Sequence, residues 1–398
     1  MKILLFSQNI AESGIRGGGS IVWCRSFVRM LRKNGHDVYV FTFGKEIHIV
    51  QCEEFKHKVF SFEYKNKWGW IDSIVFGQIP MIIRAAREAR TILRAHQIDA
   101  IVAAGIHEAA GFFVYPPHVP VFVTCHGIYP LELKMWFTGK RRYARIGAYW
   151  LLEQISQKIC SGIIYPSNWL KEKLKKRLHA VNNSVIGNCL RQVPIENHAY
   201  SKKSLNVRED VPLVVSFNLL IAPYDREEFK IYLETVKKII SIRNDIQFLL
   251  IGVSDERKEW VYELIKGLPV TILGYVDNVF EILRLADLFL HVTFTDSFSM
   301  ITLEAMSVGL PVVVTSEGAL PELVEHEKTG LVVPMNPDAL SAAVINLLED
   351  KKKRCALGEA AHGYAQAQYN EDRIGKLWDN YLRNNIPENE LVPEMGVR

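Results

Sequence analysis

The 398-residue chain is 48% hydrophobic and 23% charged, with 25 glycines and 16 prolines. That composition excludes a disordered, collagen-like or low-complexity chain and leaves room for two or three cored domains. The net charge of +4 conceals a division: residues 1–200 hold 27 Lys and Arg against 14 Asp and Glu, the remainder 21 against 30.

Met1-Lys2-Ile3-Leu4-Leu5-Phe6 meets polar Ser7-Gln8-Asn9 at once. The run is too short for a signal peptide and reads as a buried first strand. In the first half, strands are expected at 2–7, 37–43, 99–104, 119–125 and 161–166. Between the first two, Ile21, Cys24, Val28 and Leu31 share one face of a helix over 20–33. Arg25, Arg29 and Arg32 share another, and Asn34-Gly35 ends it. The polar stretch from Arg191 to Glu209 lacks periodicity and reads as a linker. A second series follows, with strands at 213–217, 246–252, 270–275, 286–292, 311–315 and 330–334, and late helices at 338–349, 351–368 and 371–384. Near-continuous apolar strands alternating with helices predict parallel sheets covered on both faces. The fold class is therefore α/β: two Rossmann-like, doubly wound domains, 1–195 and 205–370, facing a central cleft, with the helix at 371–384 packing back on the first. Ligands are expected at the carboxyl ends of the strands. No internal repeat, no apolar run of bilayer length and no Cys-x-x-Cys among the six cysteines appears. A reducing, cytoplasmic setting follows.

Asp296-Ser297-Phe298-Ser299-Met300-Ile301-Thr302-Leu303-Glu304 joins a strand end to a helix expected over 297–308. The free amides that begin a helix suit phosphate. If both acids follow the helix, they lie roughly 12 Å apart along its axis and could grip two ends of a long ligand. Equally, Asp296 could be a helix cap and Glu304 an ordinary helical acid. The surrounding Ala305-Met306, Gly309-Leu310-Pro311-Val312-Val313, Pro321-Glu322 and Gly330-Leu331 complete some sixty residues. In order and spacing these resemble glycosyltransferase family 4, retaining enzymes of the GT-B fold. The first acid of that family's acid-x7-acid signature is usually Glu; here it is Asp296, and serines 297 and 299 stand where glycines are usual. The resemblance implies that Asp296 contacts the donor sugar and Glu304 the ribose. It also implies that the amides of Ser297, Phe298, Ser299, Met300 and Ile301 receive the diphosphate.

In the first half, Gly17-Gly18-Gly19 before the helix resembles the family's Gly-Gly turn, with Gly35-His36 beyond it. Gly18 and Gly19 would allow close approach of backbone to ligand; a flexible loop reads the same. His126-Gly127 at a strand end resembles the family's His-Gly pair and implies that His126 acts at the sugar. His107 is a weaker candidate, and Ser167 reads as structural. The family's Arg and Lys after the first strand of the second domain, which neutralise the leaving diphosphate, are poorly matched. Asn218 and Glu227 fall there, so the charge would come from Arg226, Lys230 or helix amides. Asn188-Cys189 replaces the usual Asn-Gly at the domain junction.

Without Asp-x-Asp, P-loop, Gly-x-Ser-x-Gly or His-Glu-x-x-His, neither a metal nor a cofactor is expected. No carboxylate can be named a covalent nucleophile, so front-face displacement aided by the leaving phosphate is the expected mechanism. The resemblance implies a hexosyl- or hexosaminyltransferase, metal-independent, taking a nucleotide-sugar (most readily a UDP-sugar) and a glycan or small-molecule acceptor. A glycan phosphorylase, a synthase with an unusual donor, and an inactive scaffold are the alternatives. Lys65-Asn66-Lys67-Trp68-Gly69-Trp70 with Arg84, Arg87, Arg90 and Arg94, and Trp136-Phe137 with Lys140, Arg141, Arg142 and Arg145, combine bases with aromatics. They suit peripheral contact with an anionic membrane on its cytoplasmic face, or a plain solvated surface. No nucleic-acid-binding motif accompanies them.

Overall fold

The computed structural model describes residues 1–8, 19–44, 58–63, 74–127, 141–179, 182–191, 200–217, 227–276 and 278–386. Gly17, Gly18, Asn218, Arg226 and the basic-aromatic stretches at 65–70 and 136–140 lie outside the described residues. The chain divides into two compact units: Met1–Cys189 with Glu371–Arg398, and Leu190–Asn370.

In the first unit the chain runs β1 (Lys2–Gln8), α1 (Gly19–Lys33), β2 (Asp37–Gly44), β3 (Val59–Glu63), α2 (Ile74–His96) and β4 (Ala100–Ala103). It continues through β5 (Val121–Thr124), α3 (Arg141–Ile159), β6 (Gly162–Tyr165), α4 (Asn168–Leu174) and β7 (Asn182–Val185). All seven strands are parallel, in the order β3-β2-β1-β4-β5-β6-β7. Ile3 to Phe6 and Ala100 to Ala103 are completely buried, as strands covered on both faces must be. Strands β3 and β7 are additions to the sequence reading. Both are edge strands; Asn182-Asn183-Ser184-Val185 is polar and only partly buried, so no apolar run marks it. Helix α1 is buried on two sides: besides Cys24, Val28 and Leu31, Trp23, Phe27 and Met30 are covered. The second face packs on α12 (Glu371–Asn385), where Phe27 meets Trp378 edge-on at 4.8 Å and Arg29 pairs with Glu371.

The second unit repeats the scheme with β8 (Leu213–Phe217), α5 (Glu227–Ile242), β9 (Gln247–Ile251), α6 (Lys258–Ile265), β10 (Val270–Leu273) and α7 (Val279–Leu285). Then come β11 (Leu288–His291), α8 (Met300–Ser307), β12 (Val312–Thr315), α9 (Leu320–Leu323), β13 (Leu331–Val333), α10 (Pro337–Glu349) and α11 (Lys351–Gln368). Its six parallel strands are ordered β10-β9-β8-β11-β12-β13. In each sheet the winding reverses once, between β1 and β4 in the first unit and between β8 and β11 in the second. Such reversals open a crevice at the carboxyl ends of the strands.

Candidate functional site

In the second unit the chain leaves β11 at its reversal and crosses to α8. The crossing is tied down from several sides. Thr315 at the end of β12 donates its hydroxyl to the carbonyl of Thr293, 2.8 Å. Glu228, two per cent exposed on α5, accepts the N–H of Phe294 at 2.7 Å and the hydroxyl of Thr293 at 3.2 Å. Ala319 donates its N–H to the carbonyl of Asp296, 2.8 Å. Gly318 adopts φ +65°, and a Cβ there would stand 2.8 Å from that same carbonyl oxygen. Only glycine lets the turn after β12 approach the backbone of Asp296 so closely.

Helix α8 begins at Met300, with Ser299 as its N-cap, rather than at Ser297. The segment before it is not helical because Phe298 turns its ring to meet Tyr369 edge-on at 5.5 Å. The hydroxyl of Ser299 accepts from Thr302 Oγ1 at 2.9 Å instead of capping a backbone amide. Asp296 is therefore neither a helix cap nor a helical residue, and the axial spacing expected between the two acids does not apply. Its carboxylate accepts instead from Nε2 of His291, 2.7 Å. His291 is buried, while the Asp296 side chain remains 36% exposed. One oxygen is thus held from beneath while part of the carboxylate faces outward.

Glu304 lies one turn into α8, five per cent exposed. Burial pushes its carboxyl above the usual range, and the neighbouring Arg191 guanidinium opposes that rise. Arg191 Nε stands 2.7 Å from Glu304 Oε1, an ion pair by distance whose N–H is not aligned as a hydrogen bond. The guanidinium carbon lies 4.7 Å from the centre of the Phe280 ring, a cation–π stack. Asp296, Ser297, Phe298, Ser299, Met300, Ile301 and Glu304 thus stand on one strand–loop–helix, and Arg191 joins its Glu304 end.

His126 belongs to the first unit, two residues beyond β5. The strand end is fixed where Cys125 N–H donates to the carbonyl of Ile164, 2.9 Å. The imidazole meets Trp23 edge-on at 4.6 Å, so α1 supports it directly. Although the residue as a whole is partly exposed, burial of the ring pushes its pKa down to about 4. His107, after β4, is likewise pushed down to about 4 by burial. Beside it Glu108 is pushed up to about 8 by the same cause, while Oε1 accepts the N–H of Gln8 at 3.1 Å. These groups are neutral near pH 7. Gly19 opens α1. Ser167 caps α4 by accepting the N–H of Leu170 at 3.2 Å.

Sequence reasoning missed His291, Glu228 and Arg191. His291 is a polar residue closing an apolar strand five positions before Asp296, which is a usable signal. Glu228 sits in an acidic first turn that reads as helix dipole compensation. Arg191 stands where periodicity fails.

Two Rossmann-like units of parallel sheet, with an acid–loop–acid segment at the reversal of the second, define a GT-B glycosyltransferase. The sequence pattern of Glycosyltransferase Family 4 fits residues 17–190, and that of Glycosyl transferases group 1 fits residues 213–350. The chain belongs to glycosyltransferase family 4. It is 27% identical over 187 residues to N-acetyl-alpha-D-glucosaminyl L-malate synthase of Bacillus anthracis, covering 45% of this chain and 49% of that protein. It is 22% identical to the uncharacterized glycosyltransferase MJ1607 of Methanocaldococcus jannaschii over 96% of both. The chain thus spans about half the length of the first relative and nearly all of the second. Among solved structures, Anabaena HepE in complex with UDP-glucose superposes with a TM-score of 0.71 at 17% identity, covering 96% of this chain and all of the other.

Proposed function

We propose that the protein transfers a sugar from a nucleotide-activated donor, a UDP-sugar in the first instance, to an acceptor hydroxyl in glycan or glycoconjugate synthesis. The transfer retains anomeric configuration and needs no metal. One observation carries this reading: Asp296 is held outside the helix by His291, with the start of α8 and the buried carboxylate of Glu304 following it. The order matches the parts of an activated donor. Asp296 takes the sugar, the amides from Ser297 to Ile301 take the diphosphate, and Glu304 takes the ribose hydroxyls. Binding of UDP-glucose by HepE favours uridine among the bases.

In the reaction the bond from the anomeric carbon to the diphosphate oxygen breaks as the bond to the acceptor oxygen forms on the same face. The acceptor's proton passes to the departing diphosphate. His126, pushed down to about 4, is too weak a base to take that proton at neutral pH. It serves as a neutral hydrogen-bond partner of a sugar hydroxyl. The first unit holds the acceptor. Its exposed surface includes Arg84, Arg87 and Arg94 on α2 and Tyr143, Trp150 and Leu151 on α3. That mixture suits a peripheral, cytoplasmic-face contact with anionic lipid. No described helix is long and apolar enough to cross a membrane.

A thermal-shift panel of nucleoside diphosphates tests the donor half of the reading. A ligand present at a hundred times its Kd should add about 2.7 kcal/mol of stability. If none of the uridine, guanosine and adenosine diphosphates raises the melting temperature, the site does not hold a nucleotide and the reading falls.

A further inference from the structure

By the resemblance, the family's two cations after the first strand of the second domain fall at Asn218 and near Glu227, where Arg226 and Lys230 are the neighbouring bases. A nucleoside diphosphate still brings two or more negative charges to the site. Arg191 lies beside Glu304, the proposed ribose ligand. Leu190, immediately before it, is anchored in the core of the second unit and donates its N–H to the carbonyl of Tyr369 at 2.7 Å. Arg191 therefore starts from a fixed backbone position. Its guanidinium plane is set by the fully buried ring of Phe280, and Nε faces Glu304. The side chain is 24% exposed. A guanidinium has five N–H donors in a rigid fork, so one edge can face a carboxylate while the other faces phosphate.

We propose that Arg191 is a donor-site cation of this chain: it pairs with Glu304 on one edge and presents its Nη edge to the diphosphate of the nucleotide. This rests on the reading of Glu304 as the ribose ligand. The segment that enters the second unit then adds charge to the site that the family supplies from the start of that unit. A purely structural ion pair would look similar at Glu304. It would leave affinity for the phosphates of the nucleotide independent of the remaining guanidinium donors.

The two roles separate on an affinity ladder. Binding of uridine, UMP and UDP to the full-length protein would be measured by calorimetry for wild type, Arg191→Met, Arg191→Lys and Glu304→Gln. Arg191→Met keeps the length and the contact with Phe280 but removes the charge. The expected result is a tenfold or greater fall in the preference for UDP over uridine. Arg191→Lys should recover most of that preference, because a point charge suffices for phosphate. If the ladder of Arg191→Met is parallel to that of wild type, Arg191 is structural and the inference is overturned. Should Arg191→Met fail to fold, Arg191→Lys and the salt dependence of UDP binding to wild type carry the test. A UDP-to-uridine preference that does not fall as salt rises is the overturning result there. Glu304→Gln guards the underlying reading. Unchanged affinity for all three ligands in that variant removes Glu304 from the nucleotide site, a result distinct from failure at Arg191.

Discussion

The two units share one topology and place their notable side chains at the same kind of position, yet they treat charge in opposite ways. In the first, His107, Glu108 and His126 follow strands β4 and β5, and burial drives all three toward their neutral forms. In the second, Asp296 and Glu304 follow β11, and each is met by a base, His291 or Arg191. The described titratable groups of the first set are neutral, as suits the proposed sugar contact; the second set includes the Glu304–Arg191 ion pair, as suits the proposed nucleoside diphosphate. The sign of a whole half is no guide here. The half of the sequence richer in acids contains the proposed anion site, because local geometry outweighs distant charges screened by solvent.

The comparison breaks most sharply at Glu304. Glu304→Ala should weaken nucleoside diphosphate binding by roughly 1.5–3 kcal/mol, the range for a hydrogen bond to a charged group. Calorimetry with UDP checks it. Unchanged affinity in a folded variant would leave the second unit without its ionic site.

The neutral character of the first unit can be tested through stability. Glu108 has a raised pKa in the folded state, about 8. It therefore contributes stability that is complete below the unfolded carboxyl value near 4.5 and is lost as pH climbs toward 8. The two histidines have depressed values, and their contribution is present above about 6.5 and lost as pH falls toward 4. Glu108→Gln keeps an acceptor for the N–H of Gln8 but cannot ionise. At pH 8.5 it should be more stable than wild type by on the order of 2 kcal/mol, a rise of several degrees in melting temperature, with the advantage vanishing at pH 5. An advantage independent of pH would mean that Glu108 is ionised in the folded protein throughout.

His126→Ala should leave UDP affinity within twofold and lower turnover by about tenfold, about 1.4 kcal/mol of transition-state stabilisation. Initial rates with a competent donor, beside calorimetry, measure both. Equal losses in both would show that the imidazole mainly supports Trp23 and α1.

How far the sequence discloses this contrast depends on what each residue answers to. The central strands are legible because burial on both faces forces unbroken apolar runs such as Ile3 to Phe6 and Val312 to Val314. Edge strand β7 answers to no such demand, so Asn182 to Val185 reads as loop. The acids of the second unit are legible through spacing, since both stand on one local segment. Their partners are not. Arg191 reaches Glu304, and Glu228 reaches Phe294, from remote stretches that only the folded sheet brings together. Helix α8 starts three residues later than the local pattern predicts because the turn of Phe298 toward Tyr369 is a tertiary choice that overrides local helical preference.

The smallest and most discriminating effect is expected at Asp296. Here a shorter acid stands where the family usually has Glu, and His291 lies beneath it at 2.7 Å. Asp296→Glu adds one carbon to a side chain that is already 36% exposed. If the His291 contact is kept, the longer chain must buckle; if it is released, the carboxylate moves outward into the sugar position. Either way nucleotide affinity should hold, because Glu304, Arg191 and the amides at the start of α8 are untouched. The rank order of donors, or the rate with the best one, should shift by severalfold. His291→Leu should relieve the constraint, so that the double variant departs from additivity of the two single changes by about 0.5 kcal/mol or more. Initial rates over a panel of nucleotide-sugars, with melting curves for all four proteins, supply the cycle. An unchanged donor profile across the cycle would reduce the His291–Asp296 pair to a brace for the loop and take Asp296 out of the donor site.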